Sequence, residues 1–129
     1  MNRTGIQPQH DYSLQIFQAN VGRSSPSHDI ALALAAAEQF DIIILQEPYT
    51  ESNIDRLLTK THRDYRTYLP QAPWTSEENR PRVLTYARRN SPLQVEQYSI
   101  KHRDLLWITV NQINIINIYR AQDCNSALD

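Results

Sequence analysis

Cysteine is almost absent: Cys124 is the single thiol in 129 residues. An internal disulfide framework is therefore excluded, and a reducing compartment suits the chain. No stretch approaches the roughly 18 consecutive apolar residues of a membrane-spanning helix. The polar start, residues 1–10, has no apolar signal core. Charge of one sign is lacking too, since 13 Lys and Arg face 14 Asp and Glu for a net charge of -1 and a pI near 6.4. No global basic field announces a nucleic-acid partner, although a cleft needs only a local basic rim. There is no fixed-period repeat and no low-complexity tract. What is present, 40% hydrophobic and 9% aromatic residues, is a foldable composition in a length that suits one modest domain. A soluble, intracellular protein without a membrane span is expected.

Residues 1–12 read as a disordered leader. Residues 14–19 alternate apolar and polar, the period of a strand with one buried face, and turn residues break the pattern at 20–27. Residues 28–40 predict a helix capped by Ser27. The β-branched run at 41–46 predicts a strand covered on both faces, and Pro48 stops it. A short helix is predicted at 53–60, a strand at 65–69 and a surface loop at 70–82. Further strands are predicted at 83–87, 93–98, 105–110 and 113–119. Asn111 and Gln112 suggest a tight hairpin between the last two, though without glycine. Strand–helix–strand followed by several strands indicates a mixed sheet, hence an α/β or α+β fold. Strands so rich in Ile and Val expect cover on both faces, and few helices supply it. The chain reads as the first part of a larger domain.

Two polar side chains stand at the ends of hydrophobic strands, Asn20 and Glu47. In a strand–helix–strand crossover these ends lie on one edge, where α/β sheets bind ligands. A carboxylate and an amide form a hard-oxygen set suited to Mg²⁺ with several retained waters. The structural alternatives are a turn-forming asparagine and a solvated glutamate before proline. Tyr119, at the end of the last strand, can offer its hydroxyl to a cleft or simply pack. Arg120 beside it could meet a phosphate. Arg80, Arg82, Arg88 and Arg89 flank a strand; they fit a nucleic-acid rim, or a solvated edge that resists aggregation. Trp74 could stack on a base or pack. His28, His62 and His102 read as surface or loop residues, and Cys124 as inert.

Three segments carry a resemblance. "LQIFQANVGRS" (residues 14–24) resembles the opening strand of the endonuclease/exonuclease/phosphatase superfamily, which ends in asparagine. "DIIILQEPYT" (41–50) is similar to its second motif, a hydrophobic strand ending in Gln-Glu. "INIINIYR" (113–120) resembles a later strand ending Asn-x-Tyr. With "RPRVLTYARR" (80–89), they look like the endonuclease domains of non-LTR (LINE-type) retrotransposons, over residues 13–121.

The resemblance implies a four-layer αββα sandwich, of which this chain would form the N-terminal half, with 122–129 a polar tail. It implies DNA cleavage by phosphodiester hydrolysis, a nuclear location and a Mg²⁺ or Mn²⁺ ion. Glu47 would ligate the metal, Asn20 would help position it, and Tyr119 would hydrogen-bond the scissile phosphate. Arg23, Arg80 and Arg120 would contact the DNA backbone.

Two departures stand out: Gly22 replaces an acidic or amide residue, and the family's Asp-x-Asn and Asp-His motifs are absent from these residues. A phosphatase branch and a non-catalytic remnant or binding module therefore remain open. A half sandwich would expose an apolar sheet face, through which self-association is expected.

Overall fold

The computed structural model describes residues 13–53 and 56–120. The expected leader, the polar tail and Cys124 lie outside them. The chain enters β1 (Ile16–Asn20), crosses through α1 (Ser25–Ala37) and returns in β2 (Ile42–Gln46). β1 and β2 pair in parallel, from Ile16↔Ile42 to Asn20↔Gln46.

α1 begins earlier than its sequence suggests. Ser24, rather than Ser27, is the N-cap, and its Oγ accepts from Ser27 N at 3.2 Å. Pro26 fits in the first turn because an amide hydrogen there would have no partner. The helix ends before Gln39, whose positive φ of 60° turns the chain and leaves Phe40 outside.

The helix predicted at 53–60 does not form. β3 (Thr50–Asn53) and β4 (Arg56–Thr59) make an antiparallel ribbon instead, in register Thr50↔Thr59 to Asn53↔Arg56. An eight-residue helix is marginal without an apolar face to bury, so pairing of the flanking segments decides the conformation.

β5 (Tyr65–Tyr68), β6 (Val83–Arg88), β7 (Val95–Gln97), β8 (Leu105–Val110) and β9 (Ile113–Ile118) complete the order. The loop before β6 contains one short 3₁₀ turn, Glu77–Asn79. A four-stranded sheet runs β1–β2–β6–β5, and a three-stranded sheet runs β9–β8–β7. Asn111 and Gln112 join β8 to β9 with positive φ at both, 52° and 69°, the geometry that matches strand twist in a two-residue hairpin. Asn111 tolerates it and uses its side chain: Gln94 N donates to Asn111 Oδ1 at 2.9 Å.

β2 sits inside the first sheet, and its side chains divide between two cores. Ile43 and Leu45 point toward α1 and meet Ala31, Leu32, Ala35, Leu84 and Tyr86. Ile42 points the other way and meets Ala87, Ile108, Val110 and Ile115 from both sheets. Each fully buried aliphatic side chain contributes about 1.5–3 kcal/mol, so Ile42, Ile43 and Leu45 anchor β2 in both cores. The result is a mixed α+β fold in three layers, α–β–β. The outer face of the second sheet has no covering element among the described residues. Ile116 and Ile118 stand there 49% and 57% exposed, beside the Tyr98–Trp107 ring pair at 4.3 Å.

Candidate functional site

The parallel pairing of β1 and β2 delivers Asn20 and Glu47 to the same sheet edge. Beyond the strands the chains remain bonded: Val21 N donates to Gln46 O at 3.0 Å and Arg23 N to Glu47 O at 2.8 Å. Asn20 is exposed, and its Oδ1 accepts from Gly22 N at 2.9 Å, closing an Asx turn. Gly22 and Arg23 both have φ of 60°. A Cβ on Gly22 would meet nothing within 4 Å, so glycine is favoured there by its backbone conformation, not by space.

Glu47 also lies in the left-handed region, at φ 53°. For a non-glycine residue this costs on the order of 1–3 kcal/mol and persists only where neighbours over-determine it. They do: Glu47 N donates to Arg82 O at 2.9 Å while its carbonyl takes the Arg23 N–H. Two residues on, Tyr49 N donates to His28 Nδ1 at 3.0 Å.

His28 is a correction to the sequence reading, because it is fully buried. It sits one turn into α1 on the face that packs on the sheet, where the ring can be satisfied at both nitrogens. With Nδ1 accepting, Nε2 donates to Tyr86 Oη at 2.9 Å, and Tyr86 donates to Lys60 O at 2.6 Å. Burial, aided by the Lys60 charge and opposed by Asp29, lowers its pKa to about 4. His62 and His102 occupy turns, as expected, each accepting a backbone N–H two residues ahead.

Tyr119 arrives from the other sheet, just past β9, with its backbone N bonded to Asp104 O at 2.9 Å. Hydrogen bonding to the Glu47 carboxylate, then burial and the Glu47 charge, raise the Tyr119 phenol above its ordinary pKa, while Arg82 opposes the shift. The Arg82 guanidinium lies 5.2 Å from the Tyr119 ring centre.

The two sheets are bolted together one residue from Glu47 and two from Tyr119. Gln46 Nε2 donates to Asn117 Oδ1 at 2.8 Å, and Gln18 Nε2 donates to Gln46 Oε1 at 3.2 Å. Asn117 Nδ2 reaches Leu45 O, Leu84 O and Thr85 Oγ1 at 3.1–3.2 Å. Asn117 is 1% exposed, so this amide belongs to the core while the tyrosine beyond it reaches the edge.

The arginines bracketing β6 part company. Arg80 and Arg82 stand at the Glu47 end, where Arg23 pairs with Glu77 at 2.6 Å. Arg88, at the far end, bonds Asp41, and Arg89 Nε donates to Tyr65 O at 3.1 Å. A concavity of 810 Å³ at that far end is lined by His62, Arg63, Arg66, Tyr68 and Arg89, and holds none of Asn20, Glu47 or Tyr119. Arg120 is exposed, and Trp74 is half-buried with its Nε1 enclosed.

This fold has a counterpart among solved structures. The chain is similar to the endonuclease domain of TRAS1, a telomere-specific non-LTR retrotransposon, with a TM-score of 0.66 and 19% identity. The likeness covers 90% of this chain and 49% of that one, so the chain spans about half the length of its structural relative. No family model and no curated protein matches the chain. At that identity the likeness to the TRAS1 domain is one of fold.

Among the described residues, no three His, Cys, Asp or Glu side chains converge to hold a metal ion. The donors at the shared edge are the Glu47 carboxylate and the Asn20 amide oxygen, which keeps one lone pair beyond its bond to Gly22. Both are hard oxygens, a set that fits Mg²⁺ or Mn²⁺ retaining most of its waters. Gln46, Asn117 and Glu77 were not singled out from the sequence, and Arg82 only as part of a nucleic-acid rim. Gln46 and Asn117 had a signal: each is an amide within a strand of isoleucines, where an unpaired polar group would be costly.

Proposed function

We propose that this chain carries metal- and phosphate-binding residues of a DNA endonuclease that hydrolyses phosphodiesters with a divalent cation. The observation that carries the reading is the parallel pairing of β1 and β2, which brings Asn20 and Glu47 to one sheet edge, where the Glu47 charge also acts on the Tyr119 phenol. Glu47, with Asn20, would hold Mg²⁺ or Mn²⁺, which when bound supplies positive charge against that developing on the phosphate. The Tyr119 phenol, raised above its usual pKa, stays protonated at neutral pH and is suited to donate to a phosphate oxygen. Arg23, Arg80 and Arg120 would neutralise backbone charge and set the strand's position. Hydrolysis joins a water oxygen to phosphorus as the P–O bond to the leaving alkoxide breaks. We assign the general base for that step to none of the described residues. In this reading residues 13–121 are the N-terminal half of a four-layer domain that acts in the nucleus.

The likeness in fold to the TRAS1 endonuclease domain supports nucleic-acid cleavage as the reaction class. A second reading, a non-catalytic binding module of the same fold, is favoured by the guanidinium groups of Arg23, Arg80 and Arg82 beside Glu47, which can hold a phosphate without cleaving it. Nicking of supercoiled plasmid in Mg²⁺ separates them. Nicking that Glu47→Ala abolishes supports the endonuclease; plasmid left intact by both proteins supports the binding module.

A further inference from the structure

Three guanidinium groups crowd the corner beside Glu47: Arg23 from the turn after β1, and Arg80 and Arg82 from the segment entering β6. Arg80 is half-buried, and its Nη1 donates to Glu77 O at 3.5 Å, on the turn whose carboxylate pairs with Arg23. Burial and then the charges of Arg23 and Arg82 lower its pKa, with Glu47 and Glu77 opposing. Arg82 is fastened in place. Its N donates to Arg103 O at 3.0 Å, its carbonyl accepts from Glu47 N at 2.9 Å, and its guanidinium covers the Tyr119 ring. Its Nε is enclosed and without a hydrogen-bond partner among the described residues.

Like charges this close in a half-buried corner call for an anion. One is present. The Glu77 carboxylate, 54 residues along the chain, bonds Arg23 Nη2 at 2.6 Å. The 3₁₀ turn presenting it is folded by its own contacts: Asn79 Oδ1 accepts from Thr75 N at 3.1 Å and from Ser76 N at 2.9 Å. Both partners of the pair remain nearly half exposed, at 44% and 46%, so an incoming anion can reach them.

Resting on the endonuclease reading, we propose that Arg23, Arg80 and Arg82 form one phosphodiester subsite, and that Glu77 holds it in the free protein as a resident carboxylate that the nucleic-acid backbone displaces. A phosphodiester presents one negative charge over two non-bridging oxygens, as a carboxylate does, and so can take over the same guanidinium contacts. Glu77 then competes with the substrate, and removing its charge strengthens binding. If Glu77 instead only orders Arg23 for binding, removing it weakens binding. The two cases differ in sign.

The test is binding of a short labelled DNA duplex by fluorescence anisotropy in EDTA, where cleavage plays no part. Glu77→Gln is expected to bind up to about fivefold more tightly than the parent, the most that an exposed ion pair returns. Glu96→Gln, which removes one negative charge from β7 outside the cluster, controls for net charge and should change affinity much less. Arg82→Gln should bind severalfold more weakly, with Arg82→Lys between it and the parent; their thermal melts verify folding. Equal effects of Glu77→Gln and Glu96→Gln, or weaker binding by Glu77→Gln, would overturn the proposal. Tighter binding by Glu77→Gln in a protein that never nicks DNA keeps the subsite and removes the endonuclease. Nicking without a Glu77 effect does the reverse.

Discussion

Gln46 and Asn117 bond across the two sheets, Gln46 Nε2 donating to Asn117 Oδ1 at 2.8 Å. That bond lies one residue from Glu47 and two from Tyr119, and so ties the strand that ends just before one to the strand that ends just before the other. Sequence neighbours of the candidate site residues thus form the bolt, and the candidates lie beyond it.

The Tyr119 hydroxyl is expected to titrate above the ordinary phenol range, because its hydrogen bond to the Glu47 carboxylate disfavours the phenolate. Glu47→Gln removes the charge and should bring the Tyr119 titration down. NMR of the tyrosine ring carbons against pH measures both. A Tyr119 titration unmoved by the substitution would mean the two groups do not interact.

His28 makes stability depend on pH. Its folded pKa is about 4 against 6.5 for an ordinary histidine. Between those values the unfolded chain binds a proton that the native protein refuses, so stability rises with pH through this window. The contribution is complete above about 6.5 and is lost as pH falls toward 4. Urea unfolding at pH 7 and pH 5 should show the loss, and His28→Gln should show less of it. A His28 ring that titrates near 6.5 by NMR would refute this.

Asn117→Ala should destabilise the protein by about 3 kcal/mol, since it strands the buried Gln46 amide and withdraws a donor from three acceptors. Denaturant unfolding gives the number. A loss below about 0.5 kcal/mol, the level of an ordinary surface change, would remove Asn117 as the inter-sheet bolt.

The uncovered face of the second sheet should self-associate. Ile116 and Ile118 are exposed there beside Trp107 and Tyr98, and apolar sheet faces and open edges pair with other copies. Light scattering during size exclusion should show mass rising with concentration, less so for Ile116→Lys with Ile118→Lys. A monomer at every concentration would contradict the expectation.

Much of the fold was legible because period and composition agree with it. The alternating first strand, the isoleucine-rich second one and the Asn111–Gln112 turn all lie where their chemistry points. The segment at 53–60 misled because its eight residues carry no decisive period, and pairing with Thr50–Asn53 settles it. His28 misled for a different reason. A polar residue near a helix start reads as exposed, and only the packed structure brings Tyr86 and the Tyr49 amide to its two nitrogens. At the site, strand ends identified Asn20, Glu47 and Tyr119 as candidates. Long-range placement by contrast put Arg82 over Tyr119 and Glu77 against Arg23, and no local pattern encodes either contact.

The central claim is that Glu47 holds a divalent metal at the shared edge of β1 and β2. Titration with Mn²⁺, followed by paramagnetic broadening of backbone amide signals, tests it without requiring turnover. Broadening should center on residues 20–23 and 46–47, and Glu47→Gln should remove it. Broadening centred elsewhere, or unchanged in Glu47→Gln, would contradict the assignment.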